Sequence, residues 1–316
     1  MTARPSVLHL SRLSQRGDEK LSQAFDLVFL RDQADTEAFL QREGARFELA
    51  VTTAPVGLSP ETLALLPNLK ALACRGIGTD KICWPQVKAR GIQVSTTPDV
   101  LTECVADLAM GLLIDVMRGM SDADRYLRSG LWPQGTYPLT RRVWGKRLGV
   151  VGMGRIGQAI AHRALAFRMD IRYFNRRPRI DLPYSASPSL EELARWSDVL
   201  MVAVTGGAHT HHLISESVLE ALGPEGYLVN ISRGSVIDEG ALVRLLAERK
   251  IGGAGLDVFE HEPSVPQALL EMPHVVLLPH VGSGTEETRR AMEDLVLDNA
   301  KSFFETGRFI TPAQPD

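Results

Sequence analysis

Residues 148–157 constrain this chain more than any other stretch. They read Leu-Gly-Val-Val-Gly-Met-Gly-Arg-Ile-Gly, an apolar strand that runs directly into the spacing G-x-G-x-x-G. A helical pattern follows over 158–168 and a second apolar strand over 171–174. Strand, glycine turn, helix and strand make a βαβ unit, the context in which this spacing binds a dinucleotide. Each glycine has its own reason. Gly152 permits the tight turn, Gly154 lets the backbone approach a pyrophosphate, and Gly157 lets the helix pack closely on the strand. The helix N-terminus, at Arg155 and Ile156, offers unpaired N–H groups and the positive end of a dipole to the phosphates.

The second strand ends in Asn175-Arg176-Arg177. An NAD site usually carries an acidic residue there, about 20 residues after the glycines, to bond the ribose 2′-hydroxyl. A carboxylate repels a 2′-phosphate, whereas guanidinium groups pair with it. The missing acid and the two arginines therefore favour NADP(H) over NAD(H).

The chain has 316 residues, room for two domains of ordinary size. Apolar content of 44% and charged content of 23% are those of a globular protein. A net charge of −3 without a basic tail predicts no nucleic-acid or membrane-surface partner. The first twenty residues lack a signal-type apolar core, and Asp107 and Asp115 interrupt the longest apolar run, so a cytoplasmic location is expected. Cys74, Cys83 and Cys104 show neither metal spacing nor a disulfide framework.

Short strands and helices alternate through the first third, with strands expected at 7–10, 27–29, 49–52, 71–74 and 93–95. Helical patterns lie at 18–25, 35–43 and 59–66. One long helix is expected over about 103–129, with Thr102 as its N-cap. Further strands are expected at 199–204, 227–231, 253–258 and 275–278, and a last helix at 286–305. Such alternation implies an α/β fold with two doubly wound parallel sheets. The glycine motif opens the second α/β unit, which leaves the first for substrate.

Three polar residues follow predicted strands of the second unit: Arg233, Glu262 and His280. Ligands of open α/β sheets bind outside the carboxyl ends of the strands, so these residues can converge. Arginine grips a carboxylate through two parallel bonds, histidine delivers a proton near neutral pH, and a carboxylate beside it stabilises the imidazolium. The set suits reduction of a 2-oxo acid.

Over nearly its full length the chain resembles the D-isomer-specific 2-hydroxyacid dehydrogenases. The resemblance is carried by Arg75-Gly76-Ile77-Gly78-Thr79-Asp80, Glu103-Cys104-Val105-Ala106-Asp107, the glycine motif, Ile231-Ser232-Arg233-Gly234, Gly255-Leu256-Asp257-Val258-Phe259, Glu262-Pro263 and Pro279-His280-Val281-Gly282-Ser283. It implies a Rossmann-type nucleotide domain, 99–284, inserted into a flavodoxin-like substrate domain, 1–98 and 285–316. It implies that Arg233 binds the substrate, that His280 is the acid/base and that Glu262 tunes it. Gly76, Ile77, Gly78 and Ser283 would complete the substrate site. Asp257 would meet the nicotinamide amide and Val105 the ring. Val204, Thr205, Ile231, Ser232 and Gly282 would line the cofactor. A homodimer built on the nucleotide domain and its long helix is also implied.

The basic element at 175–177 is similar to the NADPH-preferring glyoxylate/hydroxypyruvate reductase branch, so NADPH-dependent reduction of a small 2-oxo acid to the D-2-hydroxy acid is the expected activity. Two alternatives stay open: an NAD-linked dehydrogenase for a larger hydroxy acid, and a dinucleotide-sensing, corepressor-like binding protein. Arg75 is expected to face solvent. His209, His211 and His212 have no acidic or cysteine partner near them in sequence and are expected to be loop residues without a metal.

Overall fold

The computed structural model describes residues 4–177, 179 and 181–314. The chain divides into two units, Met1–Leu101 with Thr285–Asp316, and Thr102–Gly284. The first break falls after Leu101, slightly beyond the residue 98 expected from the sequence.

In chain order the strands are β1 (Ser6–His9), β2 (Asp26–Phe29), β3 (Leu49–Thr53), β4 (Ala71–Arg75), β5 (Gln93–Ser95), β6 (Arg147–Val151), β7 (Asp170–Phe174), β8 (Ser185–Ala186), β9 (Val199–Val202), β10 (Tyr227–Asn230), β11 (Gly253–Leu256), β12 (Val275–Leu277) and β13 (Pro312–Ala313). The sheet of the first unit runs β13-β5-β4-β3-β1-β2. Its first five strands are parallel in the flavodoxin-like order, and β13 adds an antiparallel edge on β5.

Alternation decides how this sheet is covered. Leu8, Ala50 and Leu72 fall in one apolar cluster, while their chain neighbours Val7, Leu49, Val51, Ala71 and Ala73 fall in another. A period of two with both sets buried is the signature of a sheet covered on both faces. The second cluster is completed by Val296, Ala300 and Phe303 of the helix Glu286–Thr306. That is why the chain's last helix belongs to its first unit. Burying a side chain such as Val296, 1% exposed, contributes roughly 1.5–3 kcal/mol. Thr285 caps the helix by accepting a hydrogen bond from the Thr288 N–H, and Gly307, at φ +74°, stops it.

The second unit holds a seven-stranded sheet, β12-β11-β10-β9-β6-β7-β8, parallel throughout. The order reverses at β6, the strand that enters the glycine motif. This is the Rossmann-type order, with the switch point where a dinucleotide binds.

One expected helix is corrected. The stretch 103–129 is two helices, Thr102–Arg118 and Met120–Arg128, broken at Gly119, which adopts φ +60°. A Cβ there would lie 2.6 Å from the Tyr137 hydroxyl. The residue expected as N-cap, Thr102, is the first helical residue. The short helices Trp84–Ala89 and Glu216–Leu222 are not expected from the sequence. Among the described residues no helix is long and apolar enough to cross a membrane.

Candidate active site

The glycine turn comes first along the chain. Gly152 sits at φ +97°, and a Cβ there would lie 2.8 Å from the Ala203 carbonyl. Gly157 carries the opposite constraint: a Cβ would overlap the Gly152 carbonyl oxygen. At Gly154 a Cβ would meet nothing within 4 Å, so the space above this backbone is open. Turn, packing and approach thus fall on three different glycines, and the open one faces the start of the helix Arg155–Ala166. The cradle fits a pyrophosphate.

Asn175 does not simply stand in for the missing acid. Its side-chain oxygen accepts a 2.7 Å hydrogen bond from the Met153 N–H, pinning the end of β7 to the glycine turn. Arg176 and Arg177 beyond it are exposed, and no carboxylate pairs with either among the described residues.

The second group forms around the loop after β12. His280 is a non-glycine residue at φ +54°, a strained left-handed backbone that its surroundings must hold. Asp257, at the end of β11, does so. Its carbonyl accepts from the His280 N–H at 2.8 Å, and its carboxylate oxygens accept from the Val281 and Gly282 N–H groups at 2.7 and 2.8 Å. Asp257 is 1% exposed; burial pushes its carboxyl up, and the two amides oppose that. A Cβ on Gly282 would lie 3.5 Å from Val105, so the expected ring-contact residue borders the same loop.

His280 Nδ1 lies 2.7 Å from Glu262 Oε2. A carboxylate only accepts, so Nδ1 carries the proton and Nε2 is the atom left for chemistry. Glu262 Oε1 accepts from the Phe259 N–H at 3.0 Å, which fixes the carboxylate's direction. Burial pushes the Glu262 carboxyl up, but the His280 bond and charge, the Phe259 amide and the Arg233 charge outweigh it and hold it below its ordinary value.

Arg233 follows β10 in extended conformation, φ −143°. Buried Asn230 shapes this turn: its amide nitrogen donates to the Arg233 carbonyl at 2.9 Å and its oxygen accepts from the Ser232 N–H at 3.0 Å. Ser232 in turn donates its hydroxyl to the Val204 carbonyl at 2.7 Å. Gly206 lies against the Arg233 stem, where any Cβ would crowd Cγ. Sequence reasoning misses Asn230 and the contact of Gly206 with Arg233. A lone asparagine closing an apolar strand, three residues before Arg233, is the available signal.

The substrate-loop residues expected in the first unit follow β4. Gly76, at φ +127°, donates its N–H to Thr97 Oγ1 at 3.0 Å and accepts from the Thr97 N–H at 2.9 Å. Ile77 is 37% exposed and Gly78 half-buried. Arg75 corrects an expectation. It does not face solvent: its side chain is 16% exposed and lies 3.6 Å from the buried carboxylate of Glu293, which also accepts from the Ser14 N–H and hydroxyl. The histidine cluster brings a second correction. An acidic partner exists, because the His212 Nε2 lies 3.0 Å from Glu260 Oε1.

Comparison with known proteins gives the family. Residues 110–282 match the family model "D-isomer specific 2-hydroxyacid dehydrogenase, NAD binding domain". The glyoxylate/hydroxypyruvate reductase A of Arabidopsis thaliana is 42% identical over 97% of this chain and 98% of its own length. The 2-ketogluconate reductase of Gluconobacter oxydans is 39% identical over 99% of each. Among solved structures, the NADPH-dependent glyoxylate/hydroxypyruvate reductase of Sinorhizobium meliloti, in complex with NADP and malonate, superposes with a TM-score of 0.92 at 42% identity, covering 98% of this chain and 97% of that one. With these matches over almost its whole length, the chain belongs to the D-isomer specific 2-hydroxyacid dehydrogenase family and is an NAD(P)-dependent oxidoreductase.

Proposed function

We propose that this protein reduces a small 2-oxo acid of the glyoxylate or hydroxypyruvate type to the D-2-hydroxy acid, with NADPH preferred over NADH. The observation that carries the reading is the 2.7 Å pair between His280 Nδ1 and Glu262, which leaves Nε2 as a proton donor at the carboxyl ends of the strands. NADPH supplies the hydride when bound. The glycine turn with Arg155 and Ile156 holds its pyrophosphate, and Arg176 and Arg177 take the 2′-phosphate, without competing carboxylates among the described residues. Val204, Thr205, Ile231, Ser232, Asp257, Gly282 and Val105 line the rest of the cofactor.

Arg233 grips the substrate carboxylate and carbonyl, and the N–H groups of the Gly76-Ile77-Gly78 loop, with Ser283, complete that grip. His280 gives its Nε2 proton to the carbonyl oxygen as the hydride arrives, and Glu262 stabilises the imidazolium until then. Two relatives named for glyoxylate and hydroxypyruvate support the substrate class, and the NADP-bound one supports the cofactor. A homodimer is part of the proposal. Met120, Leu127, Trp132, Leu139 and Trp144 leave an apolar stretch of the second unit exposed, which a second copy would cover.

The test is initial-rate oxidation of NADPH and of NADH against glyoxylate, hydroxypyruvate, pyruvate, phenylpyruvate and 2-ketogluconate. Fast turnover of glyoxylate or hydroxypyruvate with NADPH preferred is expected. Preference for NADH discards the cofactor assignment. Tight dinucleotide binding without turnover of any acid discards the activity.

A further inference from the structure

The second unit holds a set of metal-ligating side chains that the reductase chemistry does not use. His211 and His212 follow β9 in one loop, and Glu260 follows β11 in another. Neighbouring residues of an extended chain point to opposite sides. His212 instead adopts φ +49°, and the two imidazoles stack with centroids 3.9 Å apart and planes at 25°. Both Nε2 atoms lie near one oxygen: that of His212 is 3.0 Å and that of His211 3.8 Å from Glu260 Oε1. The three donor atoms lie within 4.8 Å of one another.

A single histidine–carboxylate hydrogen bond accounts for His212. It does not account for His211, whose Nε2 lies 3.8 Å from the same oxygen, beyond hydrogen-bond reach. A tetrahedral ion with bonds of about 2.0–2.1 Å needs its ligand atoms about 3.3 Å apart. Separations of 3.0 and 3.8 Å bracket that value. The backbone is already tied down. The His212 N–H donates to the Ser235 carbonyl at 2.8 Å, the Thr210 hydroxyl to the Thr205 carbonyl at 2.7 Å, and the Glu260 N–H to Glu239 at 3.0 Å. His211 is the most exposed of the three, its side chain 56% accessible, so the remaining coordination positions face water.

We propose that His211, His212 and Glu260 form a binding site for a divalent transition-metal ion of the Zn²⁺ class, distinct from the His280–Glu262 pair and against the expectation that the histidines take no metal. Two imidazoles and one carboxylate with open positions are a donor set for such an ion, whereas Ca²⁺ and Mg²⁺ prefer all-oxygen sites. An ion held there ties together two loops of the second unit. One carries Gly206, which supports Arg233; the other carries Glu262, two residues from Glu260. The site thereby couples metal to the order of the catalytic loops.

The experiment is calorimetric titration of Zn²⁺ into EDTA-stripped, dialysed full-length protein, with His211→Ala and Glu260→Gln alongside. Thermal unfolding in EDTA confirms that the variants fold, and His211→Ala, at an exposed position, keeps the test available if Glu260→Gln is unstable. The wild type is expected to bind one Zn²⁺ per chain, undisplaced by excess Ca²⁺, and to unfold at a higher temperature with it. Each variant is expected to bind at least about tenfold more weakly and to lose the thermal shift. Unchanged zinc binding by His211→Ala, displacement by Ca²⁺, or no saturable binding by the wild type overturns the proposal.

Discussion

Each unit of this protein holds a histidine, a carboxylate and an arginine near the carboxyl ends of its strands, and the two groups behave in opposite ways. In the first, His9 ends β1 with its side chain fully buried, 3.3 Å from Asp18. The Ser11 N–H donates to its Nδ1 at 3.3 Å, and its ring stacks on Phe29. Burial, with the Arg75 and Arg12 charges, pushes the imidazole down to about 3, so it is neutral in the fold. In the second, His280 and Glu262 keep 34% and 30% of their side chains exposed and share a 2.7 Å bond, and the Arg233 charge helps hold Glu262 ionised. Residue types and strand-end placement are alike. What separates the proposed proton donor from a silent core histidine is access to water and which partner the arginine faces.

The largest expected effect tests this directly. His280→Ala should lower kcat for 2-oxo acid reduction by about 10²–10⁴-fold with NADPH binding unchanged, while His9→Gln should leave kcat within about twofold. Steady-state rates and dinucleotide fluorescence check both; retained turnover in His280→Ala moves the proton donor elsewhere. Next is Arg233→Ala, which removes the charge-assisted bonds proposed to hold the substrate. It should cost on the order of 10²-fold in kcat/KM, raising KM and lowering kcat together. A near-normal enzyme removes Arg233 from the site. Smaller again, Arg176→Ala with Arg177→Ala should weaken NADPH by about tenfold while changing NADH little, because only NADPH carries the 2′-phosphate. Equal losses for the two cofactors break that argument.

A separate effect, on stability rather than on activity, belongs to His9. Its folded value lies below the ordinary 6.5, so the unfolded chain takes up a proton that the fold excludes between about pH 6.5 and 3. Stability is therefore lost as pH falls through that window, by about 1.4 kcal/mol per pH unit for this one group. In denaturant titrations His9→Gln should show a flatter slope than the wild type between pH 6.5 and 4.5. Parallel slopes contradict the assignment.

Whatever is encoded locally is legible in the amino-acid sequence. The glycine spacing specifies its own turn, and short continuous apolar strands alternating with helical patterns specify parallel sheets covered on both faces, so both sheets are legible locally except for their two-residue edge strands β8 and β13. Features that depend on distant partners do not. Arg75 reads as a surface residue until Glu293, from the last helix, is brought beneath it. His211 and His212 read as loop residues until Glu260 arrives from another loop. The break at Gly119 is hidden because a lone glycine inside an apolar-periodic stretch is tolerated in helices. Asn175 reveals in sequence only what it lacks, a negative charge, and not its bond to Met153.

The most direct test is label transfer from NADPH carrying deuterium at both C4 positions to hydroxypyruvate, with the product analysed by mass spectrometry and chiral chromatography. Deuterium is expected on C2 of the D-hydroxy acid. Formation of the L-acid, or a reduced product without the label, would contradict the proposed reaction.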